Sequence, residues 1–173
     1  MEQISKVITV EEHIMSEKVN GEYQKLLEKK NLTLAQKAKA NFIQQFVAKG
    51  EITEVGEKRL EFMETHGIDC QILSYGNNSP SYLDPKQAVV LCQMANEELA
   101  GYCKQYPGNF YGFAVLPVGD TGAALTELER AVKTLGLKGI IFNGAYQESY
   151  FDEDRFFPIF EMAQELKVPV MLH

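Results

Sequence analysis

The residues best suited to chemistry lie early in the chain, where Glu11-Glu12-His13 follow directly on the apolar run Val7-Ile8-Thr9-Val10. Three β-branched aliphatics and a threonine, with no turn former among them, predict a strand buried on both faces. In a strand, side chains two apart share a side, so Glu11 and His13 converge on one point while Glu12 turns away. A carboxylate oxygen beside an imidazole nitrogen is half a site for a divalent cation. A polar strand end meeting solvent has the same pattern, so the rest of the chain must decide between the two. Three more polar residues, Ser74, Asn143 and His173, also close apolar runs. His66 does not: it stands before Gly67 at a predicted helix stop and reads as a surface residue.

The elements that must position these residues alternate in type. Residues 20–49 predict two short amphipathic helices, split near Asn31-Leu32-Thr33, as an excursion over the end of the first strand. A third helix is predicted over Ile52–His66 with Gly67 as its C′ stop, then a strand over Ile68–Ser74. Asp84-Pro85 supplies an N-cap and an N1 proline for a helix with Ala88, Leu91, Cys92, Ala95, Leu99, Tyr102 and Cys103 on its apolar face. Phe110–Leu116 is a third strand. The following helix carries Leu125, Leu128, Ala131, Val132 and Leu135 and closes at Gly136. Gly139–Phe142 is a fourth strand, opening into a Tyr-rich loop after Asn143-Gly144. A helix over Phe157–Leu166 has Pro158 in its first turn, and Val168–Leu172 is a fifth strand. Short apolar strands alternating with helices point to a parallel sheet with helical crossovers. Glu-Glu-His stands where a nucleotide-binding open sheet would place a Gly-rich turn. Polar residues at C-terminal strand ends favour a (β/α)8 barrel, of which five strands are present.

Composition excludes some classes. With 17 Lys+Arg against 24 Asp+Glu the formal net charge is −7, and no basic run interleaved with aromatics suggests nucleic acid. No apolar stretch approaches the ~20 residues that span a bilayer, and the N-terminus lacks a signal-peptide pattern, so no membrane role and a cytoplasmic location are expected. Cys70, Cys92 and Cys103 form no CxxC pair and read as core thiols.

Six ordered blocks then carry a resemblance. They are Val10-Glu11-Glu12-His13; Arg59-Leu60 through Gly67-Ile68-Asp69-Cys70-Gln71-Ile72-Leu73-Ser74; Ala95-Asn96-Glu97-Glu98-Leu99-Ala100; Phe113-Ala114-Val115-Leu116-Pro117; Leu137-Lys138-Gly139 through Asn143-Gly144; and Val168-Pro169-Val170-Met171-Leu172-His173. In order and spacing the chain resembles the amidohydrolase-related proteins of the aromatic-acid decarboxylase group, which includes the γ-resorcylate, 2,3-dihydroxybenzoate and 5-carboxyvanillate decarboxylases. The resemblance implies an α/β fold, the first five parallel strands and intervening helices of a partial (β/α)8 TIM barrel. It makes residues 1–173 the N-terminal portion of a single metal-dependent domain. Glu11, His13 and His173 occupy the places of three metal ligands, for Zn or Mn. Asn143, with Ser74 and Tyr75, becomes a candidate substrate contact, the substrate being a small aromatic carboxylic acid. The family's fourth ligand and acid, an Asp after strand eight, has no counterpart in this sequence, so the resemblance implies a chain that is inactive alone. The implied reaction is non-oxidative decarboxylation, with Glu rather than His in the first motif favouring that branch. A metal-dependent hydrolase of the same superfamily is one alternative, and a non-catalytic half-barrel acting through assembly is another. Uncovered strand edges lead us to expect a homo-oligomer.

Overall fold

Apolar runs of four to seven residues separated by helices leave one low-energy arrangement, in which each strand lies parallel to the last and each helix covers the sheet. The computed structural model, which describes residues 6–28, 52–76 and 79–173, has this form. Its elements are β1 (Ile8–Ile14), α1 (Glu17–Glu28), α2 (Glu57–Thr65), β2 (Cys70–Tyr75), α3 (Pro85–Gln105), β3 (Phe110–Ala114), α4 (Thr121–Lys133), β4 (Gly139–Phe142), α5 (Phe157–Leu166) and β5 (Val170–Leu172). The five strands form one sheet in the order β1-β2-β3-β4-β5, every pair parallel, with His13 opposite Ser74, Gln71 opposite Phe110, Phe113 opposite Gly139 and Ile140 opposite Val170. The sheet curls as a half-barrel, so the expected partial (β/α)8 architecture is the observed one.

The main core lies between sheet and helices. Leu73, Ala114 and Ile140 from the strands meet Leu99 of α3, Leu128 of α4 and Ile159 of α5, all essentially without solvent contact. The predicted start of α3 is observed: Asp84 accepts from the Lys86 N–H and Pro85 occupies the first turn. Gly67 and Gly136 take the positive φ (66° and 80°) that their stop positions demand. The last helix ends instead on Lys167, also left-handed at φ 55°.

Several expectations need correction. The first strand is not buried on both faces: Val7, Ile8 and Val10 are 38%, 50% and 46% exposed. Among the described residues β1 has a neighbour on one side only, and burial of a strand depends on that count, not on its own composition. The strand does carry Glu11-Glu12-His13, as expected, and ends at Ile14. The helix expected over Ile52–His66 begins at Glu57, because Gly56 sits at its N-cap in an extended conformation. Of the excursion over 20–49, α1 starts earlier, at Glu17, and the remainder lies outside the described residues. Cys70 and Cys92 are buried thiols as expected, whereas Cys103 is only part-buried.

One polar cluster fixes the end of β3. Asn96, fully buried in α3, donates to the Val115 carbonyl (2.9 Å) and to Glu127 Oε1 (2.7 Å), and accepts from the Val115 N–H (2.9 Å). Glu127 of α4 is in turn held by Arg130 at 2.8 and 2.9 Å, and Arg130 reaches Glu97 at 3.1 Å. Both backbone groups of Val115 are thus satisfied by one carboxamide after the ladder has ended. Asn96→Ala would orphan them in a dry environment. We expect it to lower unfolding free energy by about 3 kcal/mol, measured by urea denaturation, and a loss below about 1 kcal/mol would show that Val115 finds other partners.

Candidate metal and substrate site

His13 and His173 are 160 residues apart in sequence, one on β1 and the other directly after β5, yet their Nε2 atoms lie 3.0 Å apart. Their rings meet edge to face, with centroids 4.7 Å apart and planes at 80°. In a flat sheet the first and fifth strands would be ~19 Å apart, four spacings of ~4.8 Å. The curl is what brings these side chains together.

The His13 imidazole is held from behind, and His173 is held through its backbone. His13 Nδ1 lies 3.0 Å from Ser74 Oγ, and Ser74, fully buried, is its register partner on β2. With Nδ1–H donated to that hydroxyl, His13 Nε2 carries its lone pair toward His173. Gly76 leaves room for the ring: a Cβ there would stand 3.0 Å from His13 Cγ and Cδ2. The His173 backbone is bonded on both sides, its N–H to the Phe142 carbonyl and its carbonyl to the Gly144 N–H, each at 2.9 Å. Burial, and then the neighbouring His173, push the His13 pKa below its ordinary 6.5, against the opposing pull of Glu11 and Glu12. A neutral imidazole with a free lone pair is what a metal ion requires of histidine.

Two nitrogens bound to one zinc at ~2.0–2.1 Å in tetrahedral geometry would be ~3.3–3.4 Å apart. The observed 3.0 Å separation therefore fits a cation between the two rings after a small opening. Glu11 is less closely placed. The register of β1 against β2 shifts between Thr9 and Glu12, so Glu11 lies in an irregular segment where simple alternation fails. It is exposed, and among the described residues no three His, Cys, Asp or Glu side chains converge as a metal-holding group. Glu12 turns to Arg59, 3.9 Å away. His66, as expected, is exposed and bonds its own helix at the Phe62 carbonyl.

Asn143 follows β4 and is 8% exposed. Its Nδ2 donates to the Tyr75 carbonyl at 3.0 Å, which fixes the carboxamide's orientation, and its buried Oδ1 has no hydrogen-bond donor among the described residues. Tyr75 itself ends β2 with its side chain in the main core. Ser74 and Tyr75 thus meet the site through His13 and Asn143. Sequence reasoning singled out none of Gly76, Tyr82 or Tyr146, although the Tyr-rich loop after β4 was a signal. An apolar cavity of about 490 Å³ flanks β5 between Phe142, Phe151, Phe160 and Leu172, and His173 also lines it. Asp152 and His173 are its ionisable lining residues.

Parallel βα units curled so that polar side chains gather at the C-terminal rim define a (β/α)-barrel architecture. The chain belongs to the amidohydrolase family, whose model, described as Amidohydrolase, matches residues 46–173. It is 36% identical over 131 residues to a gamma-resorcylate decarboxylase of Rhizobium radiobacter, covering 70% of this chain and 39% of that protein. The structure matches 5-carboxyvanillate decarboxylase from Novosphingobium aromaticivorans, complexed with manganese and 4-hydroxy-3-methoxy-5-nitrobenzoic acid, with a TM-score of 0.87 at 28% identity, over 99% of this chain and 51% of that one. A dihydroxybenzoic acid decarboxylase from Polaromonas sp. JS666, with bound manganese and the inhibitor 2-nitroresorcinol, matches with a TM-score of 0.77 at 28% identity, over 97% and 49%. The chain therefore spans about half the length of these solved relatives or less.

The lowered His13 pKa has a consequence for stability. As pH falls through 6.5 the unfolded chain takes up this proton before the folded chain does, so stability present above that pH is lost toward the depressed value. We expect the melting temperature of the metal-free wild type to fall more steeply from pH 7.5 to about 5.5 than that of His13→Gln. Equal slopes in differential scanning calorimetry would mean His13 is not held neutral by its surroundings.

Proposed function

We propose that the chain serves a metal-dependent, non-oxidative decarboxylation of a hydroxylated aromatic acid. The observation that carries this reading is the pair of Nε2 atoms, from opposite edge strands of the sheet, facing each other at 3.0 Å. His13 and His173 would hold a divalent cation, with Glu11 of β1 as a third ligand. The manganese in two solved relatives supports a divalent cation, Zn or Mn, at this position. When bound, such a cation supplies Lewis acidity and a template for a carboxylate and its ortho oxygen.

The chain's own residues do the rest. Ser74 fixes the His13 tautomer and ring plane, so its lone pair is presented without reorganisation. Asn143, anchored through Nδ2, offers Oδ1 as an acceptor, which selects a donor such as a ring hydroxyl over an unsubstituted ring position. A buried acceptor left unmatched costs free energy, so the preference is for hydroxylated acids. The hydroxylated substrates and ligands named for the relatives agree in chemistry. We further propose self-association, since Val7 before β1, Ile8 and Val10 of β1 and Leu172 of β5 are exposed at the sheet edges.

The test follows carbon dioxide release from 2,6-dihydroxybenzoate and related acids by a chain extended to the length of its relatives, residues 1–173 alone being expected not to turn these acids over. We expect turnover that a chelator abolishes and Mn²⁺ restores. Asn143→Ala should lower kcat/KM about tenfold for hydroxylated acids, the worth of one neutral hydrogen bond. Chelator-resistant turnover, or no release from any hydroxybenzoate, would contradict the reading.

A further inference from the structure

The C-terminal ends of β2, β3 and β4 are joined by an aromatic bridge that the metal and substrate reading leaves unused. Tyr82, in the 3₁₀ turn Pro80–Tyr82 after β2, lays its hydroxyl against the backbone of Asn143, 61 residues away in sequence. The Asn143 N–H donates to that hydroxyl at 2.8 Å, and the hydroxyl donates to the Asn143 carbonyl. One phenol thus closes both backbone groups at the point where the β4 ladder stops, as Asn96 does for β3. Burial raises the Tyr82 hydroxyl to about 12, so it keeps the proton it donates.

The phenol is itself braced. Tyr146, 3% exposed in the loop after β4, stacks on Tyr82 with centroids 6.4 Å apart and planes at 25°. The Arg155 guanidinium lies 5.9 Å over the Tyr146 ring. Gly119, in the loop after β3, leaves the space that Tyr146 fills: a Cβ there would collide with the Tyr146 hydroxyl. A phenylalanine at either position would keep the stacking, but only a hydroxyl at 82 reaches Asn143.

We infer that Tyr82 is a positioning residue: by fixing the Asn143 backbone it holds the carboxamide with Nδ2 on the Tyr75 carbonyl and the buried Oδ1 unpaired, as the acceptor proposed for a substrate donor. This rests on the proposed role of Asn143. A tyrosine that merely staples two loops would stabilise the fold without acting through the carboxamide, and the two cases separate experimentally.

The experiment combines a double-mutant cycle with a direct readout of the amide. In ¹⁵N-resolved NMR of the purified protein, the Asn143 side-chain NH₂ signals are assigned by their loss in Asn143→Ala. In Tyr82→Phe these signals should move toward free-amide positions and exchange faster. On kcat/KM of the extended chain for 2,6-dihydroxybenzoate, Tyr82→Phe should cost about tenfold in the otherwise unaltered sequence and less than about twofold in Asn143→Ala. Unchanged Asn143 signals, or an equal cost in both backgrounds, would overturn the inference. Should the extended chain turn over no hydroxybenzoate, the decarboxylase reading fails and the NMR signals alone decide the positioning role. Should Tyr82→Phe not fold, Gly119→Ala decides it: shifted Asn143 amide signals support the role, and unshifted ones overturn it.

Discussion

The approach of His13 to His173 is the constraint on which the rest of the structure depends. Two histidines on the first and fifth strands of a parallel sheet can touch only if the sheet curls through most of the distance that separates its edges. Right-handed βα crossovers and strand twist supply that curl, and helices packed on one side of the sheet maintain it. A flat, doubly wound sheet of the same five strands would leave the imidazoles beyond reach of any single ion. The pair is therefore a readout of architecture as well as a piece of chemistry.

A second theme is how each strand ends. A parallel ladder that stops leaves N–H and C=O groups that water or side chains must satisfy. Here the groups are taken by specific partners: Val115 by Asn96, Asn143 by Tyr82, the Tyr75 carbonyl by the Asn143 side chain, and the His173 carbonyl by the Gly144 N–H. Each such bond joins two strand ends or a strand end to a covering helix. Together they make the rim of the half-barrel a connected frame, and His13 enters it through Ser74. Rigid placement of polar groups is what a site binding a cation and a planar anion requires.

Much of this was legible in the sequence, for an identifiable reason. Hydrophobic periodicity reports local burial, so β4, α5 and the capped start of α3 fall where the pattern puts them, and strand-end polarity points to the rim that holds His13, Ser74, Asn143 and His173. What escaped is non-local. The exposure of Val7, Ile8 and Val10 depends on how many neighbours β1 has, and the register shift beside Glu11 depends on the match between two strands. Tyr82 and Asn143 share no spacing rule that would link them across 61 residues. Gly76 and Gly119 read as loop glycines, whereas each makes space for a ring from a distant element. The family resemblance supplied the partnership of His13 with His173, which no local pattern could.

The central claim is that one divalent cation is shared by the two imidazoles. Electron spin echo envelope modulation of protein-bound Mn²⁺ tests it most directly, because it counts nitrogens coupled to the ion. The account predicts two imidazole couplings in the wild type and one in either His13→Ala or His173→Ala. Bound Mn²⁺ with no nitrogen coupling, or with couplings unchanged in both variants, would contradict it.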